Sequence, residues 1–106
     1  MPTAPPGDVY QAIADPRRRE ILELLGTDEQ PVQAIVDQFD VSFAAISQHL
    51  RVLREAGLVA RRRDGRSQLY RATPSALEEV HDWTAQYRAF WRGRLKRLNK
   101  YLSQRR

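Results

Sequence analysis

The chain has no cysteine among its 106 residues. Disulfides, thiolate metal ligands, cysteine nucleophiles and thiol redox sensing are therefore all excluded. No apolar run approaches the roughly 18 residues that a transmembrane helix requires, so a membrane is not an expected partner. There is no glycine-rich phosphate loop and no cofactor motif. The serines, two histidines and acids fall on separate predicted helices rather than around one cleft. An enzyme is not the expectation. Residues Met1 to Asp8 lack the basic and apolar regions of a signal peptide, and residues 1–7 read as a flexible lead-in. That lead-in and the missing cysteine suit a cytoplasmic protein.

Acidic residues run out at Asp82, and the charge is unevenly spread. Residues 1–60 carry five arginines and nine acids, net −4. Residues 61–72 carry five arginines and one aspartate, net +4, and residues 73–106 carry eight cations and three acids, net +5. Basic charge gathered into one short segment and one terminal segment is the footprint of a polyanion binder. The 42% hydrophobic content and the length fit one domain with a modest core, expected over residues 8–103, with a basic tail at 104–106.

The most informative stretch runs from Ser42 to Val59. Ile46, Leu50 and Leu53 recur at helical spacing and form one apolar stripe. Ala44, Ser47, Gln48 and Arg51 lie on the other side, small or polar enough to enter a major groove and hydrogen-bond there. Ser42 is placed as the N-cap and Gly57 as the left-handed stop. Upstream, a short helix is predicted over 8–14, with Val9, Ala12 and Ile13 at helical spacing. Asp15-Pro16 opens a second helix over 16–25 that buries Ile21, Leu22, Leu24 and Leu25. A polar loop, Thr27 to Gln30, leads to a third helix opening at Pro31 with Val32, Ile35, Val36 and Phe39 inward. A tight turn at Asp40-Val41 then joins it to the informative helix, which makes a helix-turn-helix.

Beyond Gly57 the pattern becomes extended. Leu58 to Arg63 and Arg66 to Ala72 read as a β-hairpin turning at Asp64-Gly65, where both residues tolerate positive φ. Arg61, Arg62, Arg63 and Arg66 crowd its tip, as expected of a wing that lies along DNA. Thr73-Pro74 then opens one long helix to about residue 102. Its apolar residues include Trp83, Tyr87, Phe90, Trp91, Leu95 and Leu98, more than a lone domain can bury. A second copy of the chain is the expected cover, with Val9 and Ile13 of the first helix in the same interface.

The runs Ala14 to Leu22 and Ile46 to Val59, with the arginine-rich hairpin ending in Tyr70-Arg71, resemble the ArsR/SmtB family of winged helix-turn-helix regulators, in a cysteine-free branch. The similarity covers about Asp8 to Leu102. It implies a mainly α fold with a small β-hairpin in the order α-α-α-α-β-β-α. It also implies a homodimer through the first and last helices that binds an inverted-repeat operator on double-stranded DNA as a repressor released by an inducer. In the family's thiolate metal sensors a cysteine motif lies near the start of the recognition helix; here Val41-Ser42-Phe43 occupies that region. Glu79-Val80-His81 resembles half of another metal-binding pattern, but the other half, near Trp91 to Lys96, has no ligand.

Glu78, His81 and Asp82 nevertheless share a helix face and form the candidate metal set for a Ni, Zn or Co ion, with a partner-chain group such as Asp8 to complete it. The plain alternative is an acidic first turn favoured by the helix dipole. His49, beside the apolar stripe, reads as a packing or phosphate-contacting residue. The DNA-facing set is Ser42, Ala44, Ser47, Gln48 and Arg51 on the helix, and Arg61, Arg62, Arg63 and Arg66 on the wing. A winged-helix module that meets an acidic protein without reading DNA sequence is the alternative function.

Overall fold

A computed structural model describes residues 8–104. The expected lead-in over 1–7 and the last two residues of the basic tail lie outside them. Six helices and a small sheet follow one another in the order α1 (Val9–Ile13), α2 (Pro16–Leu25), β1 (Gln30–Pro31), α3 (Val32–Val36), α4 (Phe43–Glu55), β2 (Val59–Asp64), β3 (Ser67–Ala72), a 3-10 turn (Pro74–Leu77), α5 (Glu78–Ala85) and α6 (Arg88–Gln104).

Helix starts follow their caps. The Asp8 carboxylate accepts from the Tyr10 amide at 2.9 Å. Asp15 accepts from the amides of Arg17 at 2.7 Å and Arg18 at 3.3 Å, ahead of Pro16 at the first helical position. The Ser42 hydroxyl accepts from the Ala45 amide at 3.1 Å. α4 ends as its glycine predicts: Gly57 has φ +76°, its amide donates to the Arg54 carbonyl at 3.0 Å, and Leu58 donates to Leu53 at 2.9 Å. That pairing is the Schellman closure. Because Leu53 and Leu58 are both fully buried, the closure also seats the chain on the core before β2 begins.

The core is apolar throughout, with no buried polar or charged side chain among the described residues. Of its seven large side chains that are fully buried, Ile46, Leu50 and Leu53 come from α4, and Ile21, Leu25 and Ile35 from the helices that hold it. Each such burial contributes about 1.5–3 kcal/mol. The apolar stripe of α4 is thus the hub against which α2 and α3 pack, and its opposite face is left outward.

Four expectations are corrected. First, the loop before α3 ends in a short strand: β1 pairs antiparallel with β3, Gln30 opposite Tyr70 and Pro31 opposite Leu69, giving the sheet order β1-β3-β2. Two residues carry no readable period, and proline argues against a strand except at an edge, where β1 lies. Second, Asp64 pairs with Ser67, so the hairpin turns on Gly65-Arg66 rather than Asp64-Gly65. Only Gly65 takes positive φ, +62°, as a turn with glycine first demands. Third, the single long helix is divided. The Thr84 hydroxyl donates to the His81 carbonyl at 3.0 Å and the Tyr87 amide to the Thr84 carbonyl at 3.0 Å, a tightened turn that ends α5 before α6 starts. Fourth, Val9 is buried in the chain's own core and Ile13 is half-buried against it, so α1 offers Tyr10 rather than Val9 to its surroundings.

No residue of α5 or α6 is buried. The radius of gyration is 18.2 Å, against about 13 Å for a compact domain of this length. α6 extends away from the core instead of packing on it. No helix among the described residues is long and apolar enough to cross a membrane.

Candidate nucleic-acid interface

The outward side of α4 carries Ala44, Gln48 and Arg51, all exposed, with Ser47 half-buried at its border. These are small or hydrogen-bonding groups on a helix whose other side is locked into the core. Ser42 stands at the tip, but its hydroxyl is engaged in capping. Arg51 is tied along the helix to Glu55, Nε to Oε1 at 3.1 Å, an exposed pair that a stronger acceptor can displace. Phe43 also lies here, 52% exposed in the first turn. Periodicity places it at the margin of the buried stripe, three residues before Ile46, so spacing alone does not mark it as surface.

The wing presents its arginines in two ways. Strand alternation sets Arg61 and Arg63 on the sheet face that also bears Val59 and Tyr70, beyond the core's edge, and Arg62 on the opposite face. Arg61 and Arg66 are exposed and have no partner among the described residues, while Arg63 donates to the Gly65 carbonyl at 3.3 Å. Arg62 is already engaged. It forms a two-pronged ion pair with Glu29, at 2.7 and 2.9 Å, a partner that sequence reasoning did not find. The Arg62 hydrogen bond, its charge and that of Arg71 hold the Glu29 carboxyl below its usual range; the same hydrogen bond raises the Arg62 guanidinium.

A second node braces the site from behind. Arg18 donates through Nε to the Ala12 carbonyl at 2.7 Å and through Nη2 to the Gln11 carbonyl at 3.2 Å, while Nη1 lies 3.3 Å from His49 Nδ1. Arg19 donates to the Ile13 carbonyl at 2.8 Å. These arginines satisfy the open carbonyls at the end of α1 and link it to α4. His49 is therefore a packing residue here. Arg17 lies over the Phe39 ring, 5.1 Å from its centroid.

The remaining expected residues form the outer face of α5 and α6. Trp83 meets Tyr10 edge to face at 6.1 Å and Tyr87 at 5.6 Å, and Phe90 meets Trp91 at 5.4 Å. Trp83, Tyr87, Phe90, Trp91, Leu95 and Leu98 are all exposed, Leu95 to 65%, and Tyr101 and Leu102 extend the stripe. The Tyr10 hydroxyl donates to the Glu79 carbonyl at 3.2 Å. Desolvation there, then the charges of Glu79, Asp8 and Asp82, raise the Tyr10 phenol. Glu78, His81 and Asp82 are not assembled into a ligand set: His81 Nδ1 lies 3.4 Å from Asp82 Oδ1, and no group of three such side chains among the described residues could hold a metal ion.

A helix-turn-helix with a small, polar outward face, followed by a hairpin with unpaired arginines, defines a winged-helix DNA-binding transcriptional regulator. Comparison with known proteins gives the family. Residues 15–61 match the bacterial regulatory protein, arsR family, model. The transcriptional repressor SdpR of Bacillus subtilis (strain 168) is 33% identical over 76 residues, 72% of this chain and 84% of SdpR. The HTH-type transcriptional regulator Rv2034 of Mycobacterium tuberculosis (strain ATCC 25618 / H37Rv) is 39% identical over 72 residues, 68% of this chain and 67% of that protein. Among solved structures, an ArsR-like transcriptional regulator from Rhodococcus sp. RHA1 superposes with a TM-score of 0.70 at 31% identity, covering 92% of this chain and 90% of the other. The chain belongs to the ArsR family of regulators, proteins that bind DNA rather than catalyse reactions.

Proposed function

We propose that this chain is a cytoplasmic repressor that binds an inverted-repeat operator as a homodimer. The observation that carries the reading is the outward face of α4. Ala44, Gln48 and Arg51 stand uncovered on a helix that packs its other side against α2, α3 and β2. Gln48 suits the hydrogen-bonding edge of adenine and Arg51 that of guanine, or a phosphate. Phe43, beside them, suits a thymine methyl. Arg61, Arg63 and Arg66 of the wing suit the phosphate backbone or the minor groove. The apolar stripe from Trp83 to Leu102, joined by Tyr10, suits burial against a second copy, which sets two α4 helices at a fixed separation.

Fluorescence anisotropy of DNA from the gene's own upstream region against scrambled duplex tests the reading. Preference for the upstream DNA sustains it. Sequence-blind binding, or none, transfers the assignment to an interaction module for an acidic partner. Running the titration with chelator and then with zinc or nickel tests the inducer: a metal-dependent shift assigns Glu78, His81 and Asp82 to a site completed by the second copy.

A further inference from the structure

Glu29 and Arg62 lie 33 residues apart in sequence, yet their carboxylate and guanidinium meet fork to fork, Nε to Oε2 at 2.7 Å and Nη2 to Oε1 at 2.9 Å. A phosphate would use the same two donors in the same geometry. The contact also crosses the whole sheet. Arg62 is on the edge strand β2, Glu29 immediately precedes the opposite edge strand β1, and β3 runs between them. Register puts Arg62 opposite Leu69 and Gln30 opposite Tyr70, so Glu29 comes level with Arg71 on the face away from the buried Tyr70. One carboxylate thus serves two cations of the wing, while Arg61 and Arg66 keep their charge uncompensated.

We propose that Glu29 is a charge-setting residue for DNA binding: by occupying the Arg62 guanidinium it withholds that arginine from the phosphate backbone and lowers the sequence-independent affinity of the wing. The proposal rests on the DNA-binding reading of the wing. Its physical sense lies in the competition a regulator faces. Each phosphate contact strengthens binding to every duplex alike, so removing one lowers the background without touching the α4 face that discriminates between sequences.

The test measures the salt dependence of binding to random and upstream duplexes for four variants beside the unaltered protein. Glu29→Gln should bind random duplex up to about tenfold more tightly near 0.1 M salt, with a log–log salt slope steeper by about 0.9. Arg62→Ala should weaken binding to both duplexes by clearly less than Arg61→Ala does, because its guanidinium is already taken and only the bared Glu29 carboxylate is left to repel phosphate. Arg61→Ala should weaken both and flatten the slope by about one. In the Glu29→Gln/Arg62→Ala double variant the gain should vanish.

Weaker binding by Glu29→Gln, or an unaltered slope, overturns the proposal. So does an Arg62→Ala loss equal to that of Arg61→Ala. A Glu29→Gln gain that survives in the double variant also overturns it, since the carboxylate would then be repelling DNA directly. If Glu29→Gln fails to fold by circular dichroism, the comparison of Arg62→Ala with Arg61→Ala decides alone. If Arg61→Ala is silent as well, the wing is not on DNA, and that underlying reading fails together with the proposal.

Discussion

Arg18 Nη1 lies 3.3 Å from His49 Nδ1, a contact to which the guanidinium brings only donors. This contact connects the end of α1, through an α2 side chain, to the middle of the helix that faces DNA. Arg18→Ala would leave the carbonyls of Gln11 and Ala12 without their side-chain donor and loosen α1 from α4. A loss of about 2 kcal/mol is expected, from the charge-assisted bonds removed, measured by urea denaturation. Arg18→Lys should recover little of it, since a single ammonium cannot reach three acceptors in a fixed fork.

Asp15 makes the fold sensitive to acid. Its burial alone would raise its carboxyl, but the amides of Arg17 and Arg18, with the charges of Arg18 and His49, outweigh that and hold it below the usual range. A group whose folded pKa is depressed stabilises above its unfolded value, near 3.9, and that contribution is lost as pH falls through the folded value. Glu29 carries the same sign. Stability should therefore fall on acidification below about pH 4, and less steeply in Asp15→Asn, which keeps the cap but not the charge. Asp15→Ala should lose about 1 kcal/mol at neutral pH. Denaturation midpoints at pH 7 and pH 3 check both.

Gln48 and Arg61 should fail in different ways. Gln48→Ala is expected to cost about 1–3 kcal/mol at particular base pairs of the operator and almost nothing on random duplex. Arg61→Ala should cost the same on both. Equal losses on both duplexes for Gln48→Ala would remove α4 from the base edges. A panel of single-base operator variants read by anisotropy separates the two patterns.

Leu95 tests the assembly. Leu95→Glu, in the exposed stripe of α6, should shift the mass by light scattering from two chains to one. It should also weaken binding to a full inverted repeat far more than to a half-site. The melting temperature of the DNA-reading unit should hardly change, because no residue of α6 is buried in its core. An unchanged mass would exclude this stripe as the contact between copies.

Where sequence signals were local or periodic, they located the structure. Asp15, Ser42 and Gly57 mark helix ends because caps act within three or four residues, and the stripe of Ile46, Leu50 and Leu53 reads directly as a core face. The polar side of α4 followed from the same period. The contacts that refine the site are long-range, and nothing near Arg62 announces Glu29. Arg17 to Arg19, three consecutive cations, look like a basic patch, but Arg18 and Arg19 spend their donors on the carbonyls of α1. The division of the last helix was hidden for another reason. Thr84 closes a turn with its own hydroxyl, and no glycine or proline marks the place.

The sheet also has consequences for solubility. A three-stranded sheet offers two open edges to neighbouring chains, and each is guarded differently. On the β1 side Pro31 has no amide hydrogen to donate, so a stray strand cannot complete a ladder there. On the β2 side Arg61 and Arg63, flanking the Arg62 that Glu29 holds, set like charge against any identical strand that approaches. The arginines suited to holding DNA therefore also protect a crowded solution of these chains from edge-to-edge aggregation, and neutralising several of them together would expose the protein to that fate.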